Sequence, residues 1–339
     1  MDTTKIDELR NEYIELTDNW YRKLIGFTYY SKPYYTQEQD LNKFLKKTRH
    51  IEKLFKRAIL LYDARAKSIP EINNFAELEF GYLHPIPSVE LNKFFDNLKI
   101  FRKLVTNTEY YKQEIERIKN RKDGINSFLI VPMVQLGNSA KRIDTRNIKN
   151  KVAKIDKRMH LYDSKIKLKY LGKHYSGYAI SNKKTGNVEI LLPIRDYYNS
   201  FDILTYVHEL GHAMDMIEKM DSNPEAFNRA SYFVNETSAD KLRFKYIMKY
   251  FTNEEKEKYM FDMLYDIVLT LFQMDIFNNP RQDYAKAFAH AINTIYPDIK
   301  QKTNPLYYFL CYWAVTQPLL STAHMINMVK FFIRNNKKI

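Results

Sequence analysis

Residues 200–222 read SFDILTYVHELGHAMDMIEKMDS. Ser200 is a fitting N-cap for a helix over this stretch, and Asp221-Ser222-Asn223-Pro224 is a fitting stop. Inside it lies His208-Glu209-Leu210-Gly211-His212. Four residues make slightly more than one helical turn, so His208 and His212 project from one face. Two imidazoles at this spacing can hold one Zn²⁺. Glu209 is turned about 100° from His208, within reach of a water at that ion without being a ligand. Gly211 leaves room for another backbone or a substrate to come close.

A catalytic zinc site takes three protein ligands and keeps one position open. No third histidine follows at close spacing, because position 218 is Glu and the next histidine is His290. A carboxylate is therefore the expected donor. A second helix restarting near Glu225 carries Asn235-Glu236-Thr237-Ser238-Ala239-Asp240. From His212 to the break is about 12 Å of helix, and from the restart to Glu236 about 16 Å. Two antiparallel helices would thus return Glu236 to the histidine pair. Glu218 and Glu225 are rival third ligands; Glu218 sits on the first helix itself and Glu225 beside the turn. Asp240, one turn beyond Glu236, can accept the remaining ring N–H of a ligand histidine. The chemistry these groups suit is amide hydrolysis. Zn²⁺ acidifies a water, Glu209 takes its proton, and a Tyr hydroxyl or a His supports the oxyanion.

Outward from this helix, Ser176 to Ser181 and Val188 to Pro193 flank the turn NKKTGN at 182–187, a plausible hairpin. Lys165 to Tyr170 alternates charged and apolar residues like a strand. Before it, apolar residues recur at helical steps, as in Leu41, Phe44, Leu45 and again in Leu91, Phe94, Leu98, Phe101 and Val105. Asp123 to Ser139 reads as a connection. The expected fold is mainly α with a small β hairpin or sheet. A helical part over 1–170 precedes a catalytic part over 171–339, and the two share a core or a groove.

The 339 residues include 8 Gly and 11 Pro, too few for a loop-rich sandwich or barrel. One cysteine, Cys311, excludes an internal disulfide and a thiolate-rich zinc site. No apolar signal segment opens the chain, so a cytoplasmic setting is expected. The charge-free run from Thr303 to Val329 contains Asn304, His324 and Asn327, which suit a buried helix better than a membrane span. The formal charge of +14 keeps nucleic acid in view as a partner. Much of it gathers between Lys141 and Tyr175. No aromatic-interleaved recognition motif accompanies that run, and a basic nucleic-acid-binding protein with a non-catalytic zinc site is the reading from another class.

HELGH at 208–212 followed by NETSAD at 235–240 resembles the gluzincin clan of zinc peptidases. The surroundings are similar to the thimet oligopeptidase and oligoendopeptidase F family. There, a Gly-Ala-Tyr-type strand and a strand ending in Ile-Leu-x-Asn precede a helix bearing H-E-x-G-H. Here Gly177-Tyr178-Ala179, Val188 to Leu192 and His208 to His212 follow in that order. The resemblance implies that Gly177 and Tyr178 lie on an edge strand that pairs with the substrate backbone. It also likens Pro305 to Tyr312 to a Tyr-rich segment over the zinc, making Tyr307, Tyr308 and Tyr312 candidates for oxyanion and substrate contacts. It spans roughly residues 170–335 and implies a shortened member that cuts short or unstructured peptides, or a specialised endopeptidase acting on one partner protein. Asp215 stands where those enzymes often have another His. The His and Gly that accompany the Tyr-rich segment are missing, with His290 and His324 as available substitutes.

Overall fold

The computed structural model describes residues 88–120, 142–171, 177–182, 184–194, 198–222, 232–279, 281–303 and 320–336. Tyr307, Tyr308, Tyr312, Glu225, the helical pattern before residue 88 and the whole connection at 123–139 lie outside them. Within them the chain is mostly helical with one small sheet, as its periodicities predict. The helices are α1 (Ser88–Thr106), α2 (Glu109–Lys119), α3 (Thr145–Ala153) and α4 (Arg158–Tyr162), followed by strands β1 (Ile166–Leu171), β2 (Tyr178–Asn182) and β3 (Asn187–Pro193). Then come α5 (Ser200–Ser222), α6 (Tyr232–Tyr250), α7 (Asn253–Asn278), α8 (Tyr284–Ile295) and α9 (Leu320–Asn336).

The hairpin forms as expected: β2 and β3 pair antiparallel, with Tyr178 opposite Leu191 and Asn182 opposite Asn187. Gly186 turns the corner at φ 65°, a conformation costly for any residue with a Cβ. The alternating segment forms β1, which lies parallel to β3 on its other side, so β3 is central. Val188, Ile190 and Leu192 are accordingly buried, while Glu189 reaches out to an ion pair with Lys169 at 2.7 Å. Among the described residues β2 keeps one unpaired edge.

The N-terminal cap of α5 falls one residue earlier than the sequence suggests. The side chain of Asn199 accepts hydrogen bonds from the N–H groups of Phe201 (2.9 Å) and Asp202 (3.2 Å). Asp202 answers by accepting from the Asn199 N–H at 2.9 Å, a reciprocal box in which Asn replaces the expected Ser. The helix then buries Leu204, Val207, Leu210, Met214 and Ile217 on one stripe.

The chain divides into two compact units, each drawing on both sides of residue 170. One unit contains the sheet, α3 to α6, most of α1 and the C-terminal helix from Ala323. Phe332 of α9 gathers its aromatic core, against Phe101 at 5.9 Å, Phe244 at 5.1 Å and Tyr259 at 6.3 Å between ring centroids. In the other unit, Phe272 of α7 packs edge-on against Phe288 of α8 at 5.2 Å, and Tyr111 donates to Asp298 at 3.0 Å. Among the described residues no helix is long and apolar enough to cross a membrane.

Candidate active site

The first unit brings α5 and α6 together at a glycine. A Cβ on Gly211 would stand 2.7 Å from the Cα of Ala239, closer than real contacts allow. The room seen in the sequence is thus filled by the backbone of α6, three residues past Glu236. This close approach delivers Glu236 to the histidines. The Nε2 atoms of His208 and His212 are 3.0 Å apart, with the ring planes at 85°. Glu236 Oε2 lies 3.0 Å from His208 Nε2, and Oε1 lies 3.3 Å from His212 Nε2.

These atoms converge more than they bond. Glu236 Oε2 is buried and has no hydrogen bond of acceptable geometry, despite its nearness to His208. Ligands bound tetrahedrally to zinc at about 2.0–2.1 Å stand roughly 3.3 Å from one another, close to the separations found. The donor set of two imidazoles and one carboxylate also suits zinc. The residues fit the ion. Burial works against charge on His208, yet Asp240 and Glu236 hold its pKa above the ordinary value. His212 is raised too, against burial, chiefly by Glu236. Glu236 is held far below the usual carboxylate range: burial opposes this, but the surrounding histidines outweigh it. Glu236 thus favours positive charge on both histidines, and Asp240 favours it on His208.

Asp240 is wholly buried behind His208, with Oδ1 at 3.3 Å from Nδ1. Glu209 is buried beside the pair, and a Cβ on Gly177 would come within 3.5 Å of its Cγ and 2.6 Å of the Thr205 methyl. Gly177, the residue just before β2, thus lies against the helix bearing Glu209, and Tyr178, expected with it to hold substrate, opens the strand.

Glu218, a rival third ligand, is engaged elsewhere. Arg158 donates to Glu218 at 2.8 Å, to Asp215 at 2.7 Å and to Asp156 at 2.8 Å. Asp215, where the resembling enzymes often carry His, is one arm of this clamp. Sequence reading did not find Arg158, because its acidic partners on α5 are 57 and 60 residues away. It named His324 only as a substitute. The structure sets His324 against His208 at 5.0 Å between ring centroids, while His290 is exposed on α8. Asn327 and Arg243 were also missed, although His324 and Asn327 stood out as polar residues within the charge-free run.

No protein-family model matches the sequence, and neither does any curated protein sequence. In fold the chain is similar to a structure assigned to oligoendopeptidase F, with a TM-score of 0.61 at 14% identity. That match covers 98% of this chain and 66% of the other. It is also similar to PZ peptidase A solved with an inhibitor, with a TM-score of 0.58 at 15% identity, covering 87% and 58% respectively. The chain spans less than two thirds of the length of either protein. The fold is that of the oligoendopeptidase-type peptidases.

Proposed function

We propose that the protein is a zinc-dependent metallopeptidase of the gluzincin type that hydrolyses short or unstructured peptides. The observation that carries this reading is the convergence of the His208, His212 and Glu236 ligand atoms, which leaves a buried Glu236 oxygen without a hydrogen bond. Those three residues would hold Zn²⁺, which when bound supplies a Lewis acid at the reacting carbonyl. Glu209, next in sequence to one ligand and on the adjacent face, takes the proton of the attacking water and passes it to the leaving amine. Asp240 keeps the Nδ1 proton on His208, so that Nε2 presents a lone pair. The edge of β2 that is unpaired among the described residues, with Gly177 just before it and Tyr178 at its start, accepts the peptide as an added strand. Tyr307, Tyr308 and Tyr312 are the proposed oxyanion and substrate contacts.

Four cations of the basic run are spent within the fold. Lys149 binds Asp163, Arg158 holds three carboxylates, Lys165 binds Asp221 and Lys169 binds Glu189.

The test is elemental analysis of the purified protein together with cleavage of a mixed peptide library. One zinc per chain and cleavage that stops with a chelator and returns with zinc are expected. A metal-replete protein that cuts no peptide in the library would overturn the reading.

A further inference from the structure

Asp240 is fixed by more than the histidine it serves. Arg243 donates to Oδ1 at 2.8 Å, Asn327 donates to Oδ2 at 3.1 Å, and His324 Nδ1 faces both oxygens at 3.1 and 3.2 Å. His208 Nδ1 is the most distant of the four, at 3.3 Å, and its alignment falls short of a hydrogen bond. The carboxylate is therefore placed mainly by the other three groups. Arg243 lies three residues along the same helix and moves with Asp240, so it cannot set the carboxylate against α5. His324 and Asn327 come from α9, and can.

Asn327 is itself oriented. It is fully buried, and Thr237 of α6 donates to its Oδ1 at 3.1 Å, which leaves the amide nitrogen to face Asp240. His324 Nδ1 faces the Asp240 carboxylate at hydrogen-bond distance and stands 3.5 Å from Glu236 Oε2, and its ring lies at 67° to the ring of His208. The two α9 residues thus grip one carboxylate from a third helix, which contributes none of the three converging ligands.

From this geometry we infer that His324 and Asn327 are positioning residues of the metal centre. They act through Asp240 to aim the Nε2 atom of His208, and so make metal affinity depend on α9. The inference rests on the metal-centre reading above. A buried carboxylate needs its lone pairs satisfied from fixed directions. With both α9 donors gone, Asp240 turns towards Arg243 and away from the Nδ1 atom of His208. Groups that orient a ligand histidine typically govern metal affinity by about 10–100-fold.

The experiment titrates metal-free protein with Co²⁺ against a competing chelator and follows the visible d–d spectrum. The variants are His324→Leu, Asn327→Leu, the double variant and His324→Asn, whose amide N–H can replace Nδ1–H. Circular dichroism and thermal melts of each metal-free form show that it is folded. We expect the double variant to bind about 10–100-fold more weakly, with an altered spectrum. His324→Asn should stay within about threefold of the parent. Parent-like affinity and spectrum in the double variant would overturn the inference. So would His324→Asn binding as poorly as His324→Leu, because the ring would then matter for something other than the Asp240 bond. Full metal binding with lost peptide turnover in His324→Leu would also overturn it, by making His324 a substrate contact. If the parent itself binds no Co²⁺, the metal-centre reading fails first and takes this inference with it.

Discussion

Two charged clusters share helix α5 and behave in opposite ways. Around Arg158, every close approach is an aligned hydrogen bond, with the guanidinium fork meeting Asp156 through two nitrogens and Asp215 and Glu218 through a third. Around Glu236, atoms approach equally closely, yet one carboxylate oxygen has no hydrogen bond. The first cluster is complete as it stands and acts as a staple between the basic segment and α5. In the second, ligand-type atoms of His208, His212 and Glu236 gather closely enough that they could hold a metal ion.

The comparison can be broken most sharply at Glu209. In the glutamate cluster, Glu209→Gln removes the base and keeps all three ligands. Peptide turnover should fall by about 10²–10⁴-fold with zinc content unchanged, measured on one peptide substrate and by elemental analysis. Parent-like turnover would remove Glu209 from the mechanism.

Gly211→Val tests whether the close approach of the helices builds the site. Its Cβ would meet the α6 backbone at 2.7 Å, a contact that no rotamer change relieves. Overpacking of this kind typically costs about 1–3 kcal/mol. Both thermal stability and Co²⁺ affinity should drop. A variant that matches the parent in both would mean that α6 does not need the glycine.

The smallest effect is expected at the staple. Arg158→Met should lower stability by about 1–2 kcal/mol while metal affinity stays at the parent value, since the clamp is partly exposed and touches no ligand. Its pH dependence has a definite sign. Burial alone would raise the pKa of Asp156, but hydrogen bonds from Arg158 outweigh it and hold the carboxyl below its ordinary value. A depressed carboxyl stabilises the fold above its unfolded pKa, near ~3.9, and loses that contribution as pH falls through the folded value. The stability gap between parent and Arg158→Met should hold from pH 8 to 5 and narrow below about pH 4 in denaturant melts. A gap that widens in acid would reverse the assigned charge.

The parts of the site legible in the sequence are those tied by short helical spacing. His208, Glu209 and His212 follow from one turn of helix, and Glu236 with Asp240 from the length of two helices joined by a turn. Glu218, a rival on the first helix itself, instead accepts from Arg158 of α4, a partner that no local spacing reveals. The strand character of β1 was readable from alternation, whereas its place parallel to β3 was not. Alternation reports which residues face a core and is silent on which neighbour supplies the ladder.

What the sequence alone determined, then, is whatever repeats within one or two turns: helix faces, the hairpin turn and the kinds of donor present. Tertiary structure decided which distant groups meet. Asp240 and His324 are 84 residues apart, and the bond between them depends on how α6 and α9 pack on their apolar faces. Local periodicity reflects the geometry of a single element, while contacts between elements depend on the summed burial of many side chains at once. No pair of residues carries that sum in its own spacing.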